Sequence, residues 1–200
     1  MQRPVIAYHV TFATYGFWLP NDPRGSNSDF VRAPHLRPFG DATKVNDRRS
    51  HASDPHDAAL RAAAKRALMF EPVSFTGVQA REVGHAFAVQ TGKSGFTIVS
   101  AAILPKHVHL VVLRHHYRIE QVVNLLKGAA TRRLVEGQMH PFQSTVDFSG
   151  ERPSMWGREL RKIFLFTPEQ VRSKIKYVSE NPLKESKPEQ RWSFVTAFSE

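Results

Sequence analysis

The chain has no cysteine among its 200 residues. Disulfides and thiolate metal sites are therefore excluded, and any metal must use His, carboxylate or amide ligands. Long apolar runs are missing too: none approaches the roughly 18 residues that cross a bilayer. Met1-Gln2-Arg3-Pro4 runs straight into a strand-like segment, without the apolar core of a signal peptide. There is no internal repeat and no low-complexity tract. Acidic residues are scarce, with 18 Asp and Glu against 28 Lys and Arg, for a net charge of +10. These absences lead us to expect a cytoplasmic, nucleoid-associated protein with a polyanionic partner, nucleic acid before an anionic membrane. The length suits one domain, residues 1–200, with a real core.

What is present reads as alternating strands and helices. Val5 to Thr14 is β-branched and aromatic, a first strand. From about residue 17 to 72 the character changes to Pro, Gly, Asn, Asp, Arg and His, a long insertion of mostly irregular structure. Within it, Asp57 to Met69 is Ala-rich and helical. A helix is expected from an N-cap at Thr76 to Thr91, and a strand over Phe96–Leu104. Pro105-Lys106 makes a tight turn and His107–Leu113 the returning strand. A further helix covers Arg118–Glu136, followed by a loop to Met155 and a short strand over Lys162–Phe166. Thr167-Pro168-Glu169-Gln170 then opens a last helix with Thr at the N-cap, Pro at the first position and Gln at the third. It should end near Glu180, because a residue before proline disfavours the helical region. The order implies an α+β fold, a ferredoxin-like βαββαβ antiparallel sheet with helices on one face and an additional terminal helix.

Two features could carry chemistry. His107 and His109 flank one valine, so a strand presents both imidazoles on the same face, as a pair of metal ligands would be. In the last helix Val171, Ile175 and Val178 make the buried stripe. Gln170, Lys174, Tyr177 and Asn181 make a polar stripe along its edge. The Asn181 amide, one turn beyond Tyr177, could complete a site begun by two imidazoles. A divalent ion there would orient a phosphodiester and withdraw charge from it, and the tyrosine oxygen could attack phosphorus. A tyrosine hydroxyl is ordinarily a weak nucleophile, so a neighbouring cation such as Lys174 would help. His9 reads as a core or edge histidine, and His115 and His116 as loop residues.

His-hydrophobe-His on a central strand, followed by one late-helix tyrosine with an amide four positions on, resembles the HUH endonucleases. The likeness is strongest to single-tyrosine transposases of the insertion-sequence type, above all the REP-associated tyrosine transposases. It extends over Tyr8-His9-Val10-Thr11-Phe12, over Tyr15 to Ser26, over Ile103 to His109, and over Tyr177 to Leu183. The resemblance implies a nuclease domain that cuts single-stranded DNA beside hairpins. It makes Tyr177 the catalytic nucleophile that keeps the 5′ phosphate, with His107, His109 and Asn181 as ligands of Mg²⁺ or Mn²⁺. Imidazoles alone would suit zinc or nickel as well. The expected partner is single-stranded or hairpin DNA, with a homodimer left open and no membrane. Lys127, Arg132, Arg133, Arg161, Lys162, Arg172, Lys174 and Lys176 are the candidate phosphate contacts, together with Arg158. Phe17 and Trp18 could stack on unpaired bases. Two other readings remain: a metal-dependent nuclease using water, with Glu180 the nearest carboxylate in sequence, and a DNA-binding module that does not cleave.

Overall fold

The computed structural model describes residues 3–25, 28–43, 51 and 54–199. Ser26 of the first motif lies outside them, as do residues 27, 44–50, 52 and 53 of the insertion. The elements are β1 (Ala7–Thr14), α1 (Ala58–Arg66), α2 (Gly77–Ser94), β2 (Ile98–Ile103), β3 (His107–Leu113), α3 (Ile119–Glu136), β4 (Trp156–Leu165) and α4 (Pro168–Lys184). A short 3₁₀ turn spans Pro34–Phe39.

The four strands form one sheet in the order β2-β3-β1-β4, and every neighbouring pair is antiparallel. Each helical crossover skips a strand, so β3 separates β1 from β2, and β1 separates β3 from β4. This is the α+β sheet expected from the element order. The helices do not share a face. Val10, Phe12, Val108, Leu110 and Val112 point toward α2 and α3, where they meet Phe87, Val122, Leu126 and Leu134 in the main core. On the other face Ala7, Val111 and Leu165 meet Val171 and Val178 of α4. The amphipathic stripe of α4 announces burial but not which side of the sheet receives it. Small side chains on β2, Ser100 and Ala102, let α4 lie close, and Ser100 Oγ donates to the Ile175 carbonyl at 3.4 Å.

Two boundaries differ from expectation for physical reasons. β4 begins at Trp156, six residues earlier than the strand read at Lys162, because Arg158-Glu159-Leu160-Arg161-Lys162 is a charged run. On an edge strand charge is tolerated and guards against unwanted pairing. α4 runs through Asn181-Pro182 to Lys184. A proline in the last turn forfeits a single intrahelical bond, so the helix continues and keeps Asn181 one turn from Tyr177. At the other end Thr167 Oγ1 accepts from the Gln170 N–H at 3.4 Å, while the Gln170 amide reaches past the N-cap to accept from Phe166 N–H at 2.8 Å. The full capping box occurs instead at Thr76 and Gln79 of α2, which ends at left-handed Gly95.

The described residues of the insertion include a packed unit that its composition does not suggest. Leu19, Leu36 and Ala64 form a small second core. Asp22 is fully buried, held by Arg24 at 2.6 Å and Arg61 at 3.1 Å.

After α4 the chain straps across the outer edge of β2. The Gln190 side chain both donates to and accepts from the backbone of Ile103, at 2.9 and 2.8 Å, and Thr196 N–H donates to Ile98 O at 2.9 Å. Trp192 packs so tightly on α2 that a Cβ at Gly84 would lie 2.2 Å from its ring. Gly84→Ala is therefore expected to destabilise the fold by about 1–3 kcal/mol through overpacking, although alanine favours a helix by about 1 kcal/mol. Urea unfolding measures the balance; a variant as stable as the wild type would show that Trp192 moves aside without cost.

Candidate active site

The sheet face under α4 collects the polar side chains of the central strands. Antiparallel register sets Thr11 of β1 opposite His109 of β3 and, on its other side, Arg161 of β4. His9, Thr11, His107 and His109 all project to this face and all are buried. Tyr177 comes down onto them from α4. Its ring meets His109 edge-on at 5.8 Å and His9 at 5.6 Å, while His9 and His109 stack nearly parallel at 5.5 Å. His107 stands perpendicular to His109 at 4.9 Å. The terminal helix thus packs beside the hairpin, and the histidine pair and the tyrosine share one site.

Hydrogen bonds orient the rings. Nδ1 of His109 shares a bond with Thr11 Oγ1 at 2.9 Å and lies 3.3 Å from His9 Nε2. When that nitrogen carries the proton, the lone pair stands at Nε2, the arrangement in which an imidazole binds a metal. Burial keeps these rings neutral. It pushes His9 down to about 3, with Lys174 and Arg161 adding to the effect. It pushes His107 down to about 4, aided by Arg24 and Lys106, and takes His109 well below the usual histidine value. A neutral imidazole is the form that can ligate.

The donor set fits a divalent cation in part. Nδ1 of His107 is buried with no hydrogen-bond partner. Asn181 is buried, and its Nδ2 donates to Tyr177 O at 3.3 Å, which leaves its carbonyl oxygen outside that bond. Among the described residues no group of three His, Cys, Asp or Glu could hold a metal, so the imidazoles need a third donor of another kind, such as an amide. The carboxylate beside the pair is not Glu180, which faces Lys176 and Lys184 at 3.9 and 3.8 Å. It is Glu185, whose Oε1 lies 3.7 Å from His107 Nε2.

The candidate phosphate contacts divide between the two faces. Lys174 sits over the Tyr177 ring at 5.1 Å, and Arg161 lies on the same sheet face as His9. Arg172 and Lys176 are exposed along α4, near Glu169 and Glu180, and Arg158 is exposed on β4. Lys184, absent from the sequence-based set, also lies over the tyrosine ring, at 4.7 Å. On the far face, Lys162 pairs with Glu120 of α3, Arg133 donates to Glu82 at 2.7 Å, and Arg132 is exposed. Lys127 is turned inward: its ammonium donates to Gly157 O at 2.8 Å and lies over Phe12. Burial lowers its pKa to about 8.

The sequence read His9 only as a core or edge histidine and did not single out Thr11, Lys184 or Glu185, all of which stand beside the histidine pair or the tyrosine. The parity of His9 and Thr11 was visible, but only strand pairing tells that they face His109. In the insertion, Phe17 stacks on His107 at 5.0 Å, and Trp18 lines a cleft with Phe30 and Leu36. His51 bonds Asp54 at 2.6 Å, and His56 bonds the Asp54 carbonyl at 3.1 Å. His115 and His116 lie in the loop after β3.

Among solved structures, the chain is similar to a REP-associated tyrosine transposase bound to a REP hairpin. That match has 11% identity and a TM-score of 0.48, over 92% of this chain and 72% of that one. It is also similar to a candidate transposase from Deinococcus radiodurans, with 16% identity and a TM-score of 0.39, over 90% and 92% of the two chains. No protein-family model matches the chain, and no curated protein does. No described helix is long and apolar enough to cross a membrane.

Proposed function

We propose that the protein is a single-stranded DNA endonuclease and strand transferase of the transposase type, acting on hairpin-associated DNA through Tyr177. The observation that carries the reading is the meeting of Tyr177 with His9 and His109 beneath α4, with His107 alongside and Asn181 one turn away. A divalent cation, Mg²⁺ or Mn²⁺, held by His107, His109 and Asn181 would neutralise charge on the scissile phosphate. Lys174 and Lys184 bring positive charge to the tyrosine ring, at 5.1 and 4.7 Å from its centre, where a phosphate would arrive. Tyr177 Oη gives up its proton to solvent and attacks phosphorus, and a new O–P bond forms. The bond to the 3′ oxygen breaks, and that oxygen departs as a 3′-hydroxyl after taking a proton. The 5′ phosphate stays on the tyrosine, so its energy remains available for joining to another 3′-hydroxyl.

The test is incubation with a hairpin-bearing single strand and Mn²⁺, followed by a denaturing gel. A covalent protein–DNA adduct is expected, carrying the fragment downstream of the cut through its 5′ phosphate, with the upstream fragment released as a free 3′-hydroxyl. One observation favours a second reading: Glu185, 3.7 Å from His107, could serve as base to an attacking water. Cleavage without adduct would support that hydrolysis and overturn the transferase, and binding without cleavage would leave a DNA-binding module.

Charge placement gives an independent check. Lys174→Ala and Lys184→Ala are each expected to lower the slope of log affinity against log salt by about 0.7 on single strands. Lys127→Met is expected to leave that slope unchanged, because its ammonium is committed to Gly157. Affinities measured across a salt series by fluorescence anisotropy decide it; equal slopes in all three variants would exclude the α4 lysines from the interface.

A further inference from the structure

The described part of the insertion after β1 reaches the candidate site through a column of four side chains. Asp22, with no exposed surface, anchors it. Arg24 grips that carboxylate with both ends of its fork, Nε at 2.8 Å and Nη2 at 2.6 Å, while its own backbone N–H donates to the same side chain at 3.0 Å. Arg61 from α1 binds the second oxygen at 3.1 Å. The guanidinium, fixed in plane, lies 4.2 Å over the centre of the Phe17 ring. Phe17 in turn lies on the imidazole of His107, 5.0 Å between centroids and only 12° from parallel.

Such an arrangement is costly unless it does something. A buried carboxylate needs partners, and two arginines meet that need. Nothing in that need requires the arginine plane to be stacked on an aromatic ring, nor that ring to be stacked on a histidine. A surface phenylalanine could pack in many orientations, and an imidazole bound on one side only can rotate about its last torsion. His109 is held by Thr11, but Nδ1 of His107 has no partner. The Phe17 face therefore lies flat on His107 and completes the setting of its ring plane, beside the perpendicular His109 ring and the Glu185 carboxylate 3.7 Å from Nε2. The Asp22–Arg24 pair backs Phe17.

We propose that Arg24, clamped by Asp22 and stacked on Phe17, is a positioning residue for His107, which makes the insertion a working part of the site. This rests on the reading of His107 as a metal ligand. Partners that orient a ligating histidine typically contribute 10- to 100-fold in metal affinity. Arg24 suits the part better than lysine would, since only a planar fork can bind a carboxylate with two nitrogens and stack at the same time.

The test uses the full chain with Mn²⁺ alone, titrated by calorimetry, and the metal-free protein observed by NMR at the His107 ring protons. Stacking on Phe17 shifts those protons upfield through the ring current, with no metal required. Phe17→Leu and Arg24→Lys are expected to weaken Mn²⁺ binding 10- to 100-fold and to move the His107 signals downfield. Phe17→Tyr, which keeps the ring, is expected to retain both properties. Arg24→Lys keeps a positive charge beside Asp22, so it also guards against simple unfolding. Wild-type affinity and an unmoved His107 signal in Arg24→Lys would overturn the proposal while leaving the metal site in place. A wild-type protein that takes up no Mn²⁺ would instead remove the metal reading, and the ring signals would still report whether the column holds His107.

Discussion

Tyr177→Phe is expected to abolish the covalent DNA adduct and to cut strand cleavage by about 10³-fold or more, the scale on which removing a nucleophile acts. The substitution deletes one oxygen and little else. The phenyl ring can still meet His9 and His109 edge-on, and Lys174 and Lys184 still have an aromatic face beneath them. Fold, metal uptake and DNA affinity should therefore persist within a few-fold, which separates a lost nucleophile from a lost site. A labelled hairpin oligonucleotide, with cleavage and adduct quantified on one denaturing gel, gives the answer. Cleavage at the wild-type rate in the variant would move the attack from Tyr177 to water, and attention to Glu185.

Acid should weaken the metal-free protein well before its carboxylates titrate. Unfolded histidines accept a proton near pH 6.5, whereas burial pushes His9 down to about 3, His107 to about 4 and His109 well below the usual value. Above 6.5 neither state is protonated and the fold is at full strength. As pH falls below 6.5 the unfolded chain takes up protons that the folded one refuses, so stability declines. Each histidine costs about 1.4 kcal/mol per pH unit in that window. By pH 4.5 His9 and His107 have each removed roughly 2–3 kcal/mol of stability, and His109 acts in the same direction, a large share of an ordinary domain's total. Urea midpoints at pH 7, 5.5 and 4.5 should fall steeply. His9→Asn should flatten the decline by roughly 2–3 kcal/mol at pH 4.5; a wild-type midpoint that stays level to pH 4.5 would contradict the buried, neutral cluster.

Much of this was readable in the chain because it depends on local periodicity. The two-residue repeat of His107 and His109 fixed their shared face, and Thr167-Pro168 fixed the start of α4, from which the phase of Tyr177 and Asn181 follows. What failed to show was set by long-range pairing. His9 joins the site only because β1 lies antiparallel beside β3, with Thr11 opposite His109. β4 was hidden by its own charge, since an edge strand need not alternate apolar and polar residues. Lys127 read as a surface cation, yet its neighbours, Phe12 and the Gly157 carbonyl, belong to other elements. The insertion read as polar and irregular because its organising residue, Asp22, is charged yet buried, with Arg24 half-buried against it.

The strap beyond α4 also bears on how copies of this chain could meet. A sheet grows by adding strands to an open edge, and Gln190 and Thr196 already occupy hydrogen-bonding positions along β2. Extension is thereby directed to β4, where Arg158, Arg161 and Lys162 outnumber Glu159 and two such edges repel one another. Joining two copies by continuing the sheet is therefore disfavoured at both of its edges.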